Sequence, residues 1–474
     1  MTIAPYDHQA VSIAEIRQSF RNGVMAVLWY LATGGGKSWA AAFMILEAIA
    51  RGKRCWFIVH RRELIKQTER VFAQLGIDYG VIAAGRTPSP HKLAQICSVG
   101  TLSKRIDTLD KPHLVIQDEC HHLPCKSWSD VLAKVGRCYM VGLSASPVRL
   151  DGRGLAEYFG AMVRGPSIRE LIEQGYLSRF RTFAPPTVDT SGLHSRAGDY
   201  ITSEATALMD KPAITGSAVD EYRKLCDGKR AIVFCVSIEH SKHVAQQFRD
   251  QGYAAVHIDG TFADEVRDAA IADFERGAIQ ILCNVDLCGE GLSINAIECV
   301  ILLRPTQSLG LYIQQVGRGL RTWPGKTHLT ILDHVGLTQK FGLIDEPREW
   351  ALTYSEDKKK KTASVNVRVC GGCWAASPAR ALRCSNCGKE FPVAARSELE
   401  EREGELVEIT AETIAKRAAR VEQGRSETIE QLTEVGRKRG MRDPAGWARH
   451  VIAGRHAKAA ARAEQLKLAG MAHE

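Results

Sequence analysis

The stretch from Leu31 to Ser38, which reads LATGGGKS, carries the residues best suited to hold a phosphate group. It lies between an apolar run, 25–31, and an alanine-rich run, 39–50, so a strand, a loop and a helix are expected in that order. Glycines let the backbone curl until several amides point at one anion, and the start of the helix adds a partial positive charge. The amides expected to face the phosphates belong to Thr33, Gly34, Gly35 and Gly36.

Two side chains at the end of this loop complete the predicted site. Lys37 would neutralise the β- and γ-phosphates, and Ser38 would offer a hydroxyl to Mg²⁺. The usual pattern begins with glycine where this chain has Leu31, so the match is incomplete. The alternative is a glycine-rich turn, but Gly-Lys-Ser between a strand and a helix favours binding of ATP or GTP.

An acidic pair, Asp118-Glu119, follows the apolar run 114–117. Asp118 can hold Mg²⁺, usually through water, and Glu119 can orient and deprotonate an attacking water. The pair alone is equally consistent with a solvated strand end. The order along the chain of Lys37, this pair and then the segment 142–147, with its hydroxyls at Ser144 and Ser146, favours a nucleotide site that senses the γ-phosphate.

Short apolar segments alternate with helical patterns through the first part of the chain. This alternation predicts a parallel sheet covered by helices on both faces, in which ligands bind at the carboxyl ends of the strands. The segments after the loop are 55–59, 96–99, 114–116 and 139–143. The phosphate loop and the acidic pair therefore belong to one edge of one sheet.

Together these residues resemble superfamily 2 helicases and translocases, whose motif II reads D-E-x-H and whose motif III reads S-A-T. Here motif III ends in Ser146 instead of threonine. The resemblance places Tyr6 and Gln9 where the family's Q motif recognises adenine. It also places three residues on the nucleic-acid track, where they would contact phosphates. These residues are Arg61, Arg62 and Thr101.

A second alternating set of segments follows a break at Pro185-Pro186 and the polar stretch 189–199. Its apolar segments are 231–236, 254–258, 279–283, 299–303 and 329–332. Two similar sets in succession indicate a duplicated core. We expect the first domain at 1–180, the second at 181–340 and a linker at 341–366, which contains the charge run Asp357 to Lys361.

The second set ends in Gln314 to Arg321, which reads QQVGRGLR. Arg318 and Arg321 are three residues apart, so a helix would present both guanidinium groups on one face. The alternative interpretation is an exposed basic helix with no role in catalysis. The segment matches the family's motif VI, Q-x-x-G-R-x-x-R, and the resemblance implies that Gln314 and both arginines act at the γ-phosphate as charge builds.

The resemblance also covers other parts of the second set. The segment 284–293 resembles motif V, with Glu290 and Gly291 near the nucleotide, although relatives often have aspartate where Ser293 stands. Three residues are expected to contact nucleic acid from the second core. These are Ser237, Gly260 and Thr261.

The fold implied is α/β, with two tandem RecA-like parallel-sheet domains and ATP bound in the cleft between them. The resemblance covers roughly residues 1–340 and is nearest to the duplex-DNA translocases of the XPB, UvsW and type III restriction-subunit kind. It implies ATP and Mg²⁺ as ligands and nucleic acid as partner, DNA before RNA. An RNA helicase with the same core is the first alternative.

Four clustered cysteines form two C-x-x-C pairs separated by ten residues. This spacing predicts a tetrahedral Zn²⁺ site in a zinc ribbon spanning 367–392. Disulfides are the alternative, but no secretory signal opens the chain, so they are not expected. The predicted ligands are Cys370, Cys373, Cys384 and Cys387.

Residues 393–474 read as helical, acidic in the first half and basic in the second. The basic half suits nucleic acid or a partner protein equally well. An adaptor switched by ATP, which recruits partners through the ribbon and tail, is therefore the second alternative. The net charge of +9 favours polyanion partners, and the absence of a long apolar run or leader leads us to expect a cytoplasmic protein without membrane partners.

Overall fold

The computed structural model describes residues 3–123, 126–147, 154–184, 193–196, 199–210, 212–285, 294–353, 367–391, 426 and 428–454. The chain divides into two compact units, residues 1–393 and 394–474. The first unit contains two parallel β-sheets and a small cysteine-rich ribbon.

Seven parallel strands make the first sheet. They are β1 (Ala26–Tyr30), β2 (Cys55–Val59), β3 (Tyr79–Ile82), β4 (Ala94–Ser98), β5 (Leu114–Gln117), β6 (Tyr139–Ser144) and β7 (Ala161–Arg164). Their order across the sheet is β3-β4-β2-β5-β6-β1-β7. Every residue of β2 is buried, as expected for a strand covered on both faces.

Helices cover this sheet and account for the periodic patterns in the sequence. They are α1 (Asp7–Arg21), α2 (Lys37–Ala50), α3 (Arg62–Gln74), α4 (Val99–Arg105) and α5 (Lys126–Val135), with short 3₁₀ turns at Ile106–Thr108 and Cys120–His122. The next helix, α6 (Ile168–Glu173), instead buries Ile168 and Leu171 in the core of the second sheet. The run of small and apolar residues in α2 buries Ala40 to Ile45 against the sheet. The loop 31–36 is thereby fixed between β1 and α2.

The second sheet has six parallel strands. They are β8 (Phe180–Phe183), β11 (Ala231–Phe234), β12 (Ala255–Ile258), β13 (Ile281–Asn284), β14 (Cys299–Leu302) and β15 (Leu329–Asp333), and a separate antiparallel pair is formed by β9 (Ser195–Arg196) and β10 (Asp199–Tyr200). The order is β12-β13-β11-β14-β15-β8. Its helices are α7 (Thr202–Met209), α8 (Pro212–Cys226), α9 (Ile238–Asp250), α10 (Asp264–Glu275), α11 (Leu309–Gly319) and α12 (Leu337–Phe341).

The two tandem parallel sheets confirm the predicted fold class. The sequence did not reveal β3, β7 or β8, each of which has four residues. Strand β8 reads FRTF and carries an exposed arginine, so no apolar run marks it. It pairs with β15, so residue 180 already belongs to the second sheet.

The segment after the second sheet packs against both domains. Ile344 belongs to the core of the second domain, while Leu352 contacts the core of the first. Trp350 is buried, and its ring centroid lies 5.6 Å from that of Tyr30 on β1. The part of the predicted linker that is described, 341–353, is therefore packed structure rather than a free connection.

A small ribbon follows, with an antiparallel pair formed by β16 (Arg368–Val369) and β17 (Ala376–Ser377). It docks on the free edge of β8 through a bridge between Phe183 and Ala375, next to which Ala184 N–H donates to Trp374 O. In the second unit, the described residues form α13 (Ile429–Lys438) and a helix over 444–454. No helix among the residues described above is both long and apolar enough to cross a bilayer.

Candidate functional site

The phosphate loop is held in a conformation that requires glycine. Gly34 and Gly36 have φ of +87° and +82°, in the left-handed region. A Cβ at Gly34 would lie 2.7 Å from Leu177 Cδ2, and one at Gly36 would collide with Gln9 Nε2. Helix α2 begins at Lys37, so its first unsatisfied amides face the loop. This backbone fits the phosphates of a nucleotide.

The predicted adenine-recognition residues lie against this loop. Gln9 is buried, and its Nε2 donates to the carbonyls of Gly35 and Gly36 at 3.2 and 3.3 Å. Its Oε1 accepts from Tyr6 N–H at 3.0 Å, which fixes the amide orientation. Tyr6 is 54% exposed, and its ring centroid lies 4.9 Å from that of Tyr176. The structure therefore brings Gln9 to the phosphate loop and places Tyr6 beside Gln9.

The two polar side chains that end the loop already have partners in the protein. Lys37 Nζ donates to Leu31 O at 3.4 Å, across the loop. Ser38 Oγ accepts from Gln67 Nε2 of α3 at 3.3 Å. Sequence reasoning missed Gln67, because only the fold brings α3 beside the start of α2.

The acidic pair directly follows β5, at the carboxyl end of that strand. Asp118 is 5% exposed, and its Oδ1 accepts from Glu119 N–H at 3.1 Å. Glu119 has φ of +49°, a left-handed conformation that costs a side-chain-bearing residue free energy. Strain of this kind persists where the surrounding contacts require it, which is typical of functional sites.

Motifs II and III are connected through one histidine. His121 Nδ1 lies 3.4 Å from Glu119 Oε2 and 3.3 Å from Ser144 Oγ. Ser144 Oγ in turn accepts from Ser146 N–H at 3.1 Å. A movement of the 144–146 loop would therefore reach the acidic pair through His121.

The motif VI helix, α11, lies directly against the phosphate loop. A Cβ at Gly317 would lie 2.7 Å from Thr33 Cβ, so the two backbones approach closely. Gln314 and Arg318, on the same helix, are each 7% exposed. These contacts join the second domain to the nucleotide loop of the first.

Arg321 does not lie on the motif VI helix, contrary to the sequence prediction. Helix α11 ends at Gly319, and Arg321 instead forms an antiparallel bridge with Leu177. The prediction that one helix presents both arginines is therefore wrong. Burial, and to a smaller extent the charge of Arg318, lower the pKa of the Arg321 guanidinium to about 10. Its Nη1 donates to Asn295 Oδ1 at 3.1 Å.

The predicted nucleic-acid contacts all follow carboxyl ends of strands. In the first sheet, Arg61 and Arg62 follow β2 and Thr101 follows β4. In the second sheet, Ser237 follows β11 and the Gly260-Thr261 turn follows β12. Thus each set lies at one edge of its sheet.

Local structure already uses two of these groups. Ser237 Oγ caps α9 by accepting from His240 N–H at 3.3 Å. Thr261 donates its N–H and its hydroxyl to Asp259 Oδ1, at 2.7 and 2.6 Å. The predicted motif V residues Glu290 and Gly291 lie outside the described residues.

Two protein families match the chain in the same order as the two sheets. The type III restriction enzyme res subunit family matches residues 2–149, and the helicase conserved C-terminal domain matches 217–322. A 51.5 kDa protein of a Lactococcus phage is 32% identical over 80% of this chain and 82% of its own length. The chain belongs to the superfamily 2 helicases. The predicted resemblance is thereby confirmed, and with it the assignment as an ATP-hydrolysing helicase.

Other relatives of this helicase are more distant. The ATP-dependent helicase IRC3 of Saccharomyces cerevisiae is 27% identical over 72% of this chain, which spans about half (52%) of that protein. Among solved structures, a fragment of the HsdR subunit of a type I restriction enzyme from Vibrio vulnificus YJ016 has a TM-score of 0.58. It is 22% identical and covers 72% of this chain and 66% of its own, so the likeness concerns the fold.

The four clustered cysteines of this helicase converge in the ribbon. Their sulfur atoms all lie within 4.8 Å of one another. Cys370 Sγ lies 3.6 Å from Cys387 Sγ, and Cys373 Sγ lies 3.6 Å from Cys384 Sγ. A disulfide has sulfurs about 2.05 Å apart, whereas Zn–S bonds of about 2.3 Å in a tetrahedron put them about 3.8 Å apart. The spacing fits a metal site and not two disulfides.

The backbone around the sulfurs favours thiolates. Gly372 N–H donates to Cys370 Sγ at 3.4 Å, and Asn386 N–H donates to Cys384 Sγ at 3.4 Å. Such bonds from Gly372 and Cys373 lower the pKa of the Cys370 thiol to about 6. Thiolates are the form in which cysteine binds a metal, so this donor set suits Zn²⁺.

Proposed function

We propose that this helicase uses ATP hydrolysis to translocate along duplex or branched DNA and to unwind or remodel it. The observation that carries the proposal is the close approach of α11 to the phosphate loop at Gly317 and Thr33. A nucleotide bound by the first domain would lie beside Arg318 and Arg321 of the second. The predicted domains 1–180 and 181–340 are proposed with one change: the boundary moves ahead of α6, whose Ile168 and Leu171 belong to the second core, and of Phe180, which pairs in the second sheet. The ribbon 367–392 and the C-terminal region 393–474 are proposed as predicted.

The proposed chemistry assigns each motif one task. Backbone amides of the loop and Lys37 bind the phosphates. Ser38 and Asp118 would hold Mg²⁺, which would neutralise charge on the phosphate oxygens. Glu119 accepts a proton from the water that attacks the γ-phosphorus, and the bond to the β–γ bridging oxygen breaks. The groups that stabilise the charge developing on the γ-phosphate are Gln314, Arg318 and Arg321. Tyr6 and Gln9 recognise adenine.

The proposed nucleic-acid track crosses the carboxyl edges of both sheets. Arg61, Arg62 and Thr101 contact phosphates from the first domain, and Ser237, Gly260 and Thr261 do so from the second. ATP binding closes the domains and hydrolysis lets them open, so the two sets of contacts alternate in their grip and advance along the strand.

Support for DNA comes from the restriction-enzyme descriptions of the matching family and of the similar structure. An RNA helicase with the same core and an ATP-switched adaptor remain the competing proposals. The adaptor would bind a partner protein through the ribbon and the C-terminal region. A cytoplasmic location is part of the proposal, because the cysteines described outside the cluster are free thiols, as expected in a reducing compartment.

Turnover of ATP should be measured with duplex DNA, single-stranded DNA and RNA, alongside strand displacement on a forked duplex. We expect duplex or branched DNA to stimulate hydrolysis most, and Lys37→Ala to abolish it. Stimulation by RNA alone would favour the RNA helicase. Hydrolysis without displacement or translocation on any substrate would favour the adaptor.

We further propose that the ribbon binds one Zn²⁺ through Cys370, Cys373, Cys384 and Cys387. Elemental analysis of the purified protein should give one zinc per chain, and Cys384→Ser should lose it. Small ribbons have too little core to fold without their metal. Proteases should therefore cleave Cys384→Ser within residues 367–391, and not the wild type. The control is Cys138→Ser, a half-buried cysteine outside the cluster. Absence of zinc from the wild-type protein would contradict the proposal.

A further inference from the structure

The end of the motif VI helix exposes backbone carbonyls that the helix itself cannot satisfy. Two residues from other parts of the second domain bind them. Ser178 N–H donates to Leu320 O at 2.7 Å, and its hydroxyl donates to the carbonyls of Leu320 and Arg321 at 3.0 and 3.3 Å. Lys326 Nζ donates to Gly319 O and, at 2.8 Å, to Arg321 O. Three successive carbonyls are thus held by two side chains and one amide.

Both partners are at least half-buried. Ser178 is 7% exposed and Lys326 is half-buried, and this burial lowers the pKa of Lys326 to about 7, although Glu298 opposes the shift. Burying a lysine costs free energy unless its charge is compensated. Lys326 donates both of its hydrogen bonds to the carbonyls of Gly319 and Arg321. The charge of the half-buried ammonium is therefore stabilised only while this turn keeps its conformation.

The residues before Ser178 reach the nucleotide site of the first domain. Leu177 pairs with Arg321 in the antiparallel bridge, and its side chain packs on Gly34 of the phosphate loop. The ring centroid of Tyr176 lies 4.9 Å from that of Tyr6 and 4.8 Å from that of His8. The segment 176–178 therefore contacts the proposed adenine end, the phosphate loop and the Arg321 turn.

We propose that Ser178 and Lys326 are positioning residues that hold the Arg321 turn against the phosphate loop, beside segment 176–178. The inference rests on the proposed role of Arg321 at the γ-phosphate. A guanidinium that must meet charge as it develops needs a fixed backbone, because small misplacements sacrifice much of the rate. Ser178 and Lys326 touch neither substrate nor reacting atoms and act through Arg321.

The first test compares Ser178→Ala and Lys326→Met with the wild type at saturating DNA. A hydrogen bond to a charged donor is worth about tenfold or more in an equilibrium. We expect Lys326→Met to lower kcat about tenfold, Ser178→Ala about threefold, and neither to change the KM for ATP by more than about twofold. The matched control is Lys111→Met, which should be neutral. Lys111 lies away from this site, and its Nζ also donates to a backbone carbonyl, that of Lys134, at 2.8 Å.

The pH profile separates positioning from a merely structural cap. The charged groups facing Lys326 are Glu298, itself paired with Arg230 at 3.3 Å, and His328, whose pKa is lowered by burial and by nearby cations, including Lys326. As pH rises through about 7, Lys326 loses its charge and its bonds to the carbonyls weaken. The ratio of wild-type kcat to Lys326→Met kcat should therefore fall severalfold between pH 6 and 8.5. Arginine stays charged over this range, so the ratio of Lys326→Arg kcat to Lys326→Met kcat should not change with pH.

The outcomes distinguish this inference from the function on which it rests. If Arg321→Ala turns over ATP like the wild type, the proposed function fails. If Arg321→Ala is inactive but Lys326→Met and Ser178→Ala keep wild-type kcat, the positioning proposal alone is overturned. The proposal would also be overturned if the two variants bound ATP more weakly and melted at lower temperature to the extent that they lost kcat, while the ratio of wild-type kcat to Lys326→Met kcat did not change with pH. Should Lys326→Met not fold, Ser178→Ala, which keeps the backbone bond to Leu320, still decides the question.

Discussion

Replacing Arg321 with alanine is expected to leave ATP binding nearly normal and to lower DNA-stimulated hydrolysis by roughly 10³–10⁵-fold, the worth of an arginine finger. In the proposed mechanism, nucleotide binding depends mainly on the loop 31–38 and Gln9, which belong to the first domain. Arg321 lies in the second domain, next to Leu177 and Gly34, so it can act on the γ-phosphate without contributing much to ground-state affinity. The variant should also displace no strands.

Two companion variants make this result specific. Arg321→Lys should restore little activity, because an ammonium cannot copy the planar fork of a guanidinium. Arg276→Ala removes an exposed arginine of the same domain, paired with Asp273 at 2.6 Å, and should be neutral. Nucleotide affinity and stimulated turnover should be measured side by side in all three. Wild-type turnover in Arg321→Ala would mean that the second domain does not complete the ATPase site.

The parts of the fold that the sequence predicts are those encoded locally. The strand before the phosphate loop, expected at 25–31, spans Ala26–Tyr30, and the strand expected at 55–59 spans Cys55–Val59. Both are continuous apolar runs, the sequence pattern typical of a strand that is buried on both faces. Helix α2 begins two residues earlier than expected, at Lys37, because Gly36 in a left-handed conformation forms its N-cap.

Other features depend on partners that are far away along the chain. Strand β8 forms because β15 offers a free edge some 145 residues later, and its own sequence, FRTF, has no strong apolar pattern. The end of α11 is also set by packing. A Cβ at Gly319 would lie 2.7 Å from Leu329 and 2.8 Å from Val300, so the helix sits close on the sheet, and Arg321 then pairs with Leu177. Spacing within motif VI could not show this bridge.

The same limit applies to the groups around the nucleotide. The sequence predicts roles for Lys37, Asp118 and Glu119 because each follows a strand in a recognisable order. Gln67, Tyr176 and Lys326 carry no motif of their own, and only tertiary contacts bring them to the loop or to the Arg321 turn. Residues that support a site are therefore harder to predict than those that perform its chemistry.

Glu119→Gln is expected to bind Mg²⁺-ATP and DNA and to lower turnover by about 10²–10⁴-fold, the usual worth of a general base. Glutamine keeps the shape of the side chain and an oxygen for His121 to contact, but an amide cannot accept the proton of the attacking water. Hydrolysis would then stop after the domains have closed. The variant should remain on DNA much longer in the presence of Mg²⁺-ATP than the wild type does.

The backbone of Glu119 makes this test sharper than a simple loss of activity. Its φ of +49° aims the carboxylate within 3.4 Å of His121, which also contacts Ser144 of motif III. Glutamine should preserve this geometry, so thermal stability should change little, while Glu47→Gln, on exposed α2 surface beside Arg17, serves as the charge-matched control. DNA dissociation should be followed in single-turnover experiments with and without ATP. If Glu119→Gln leaves DNA as fast with ATP as the wild type, then Glu119 is not the base, and the water must be activated by another group of the acidic edge.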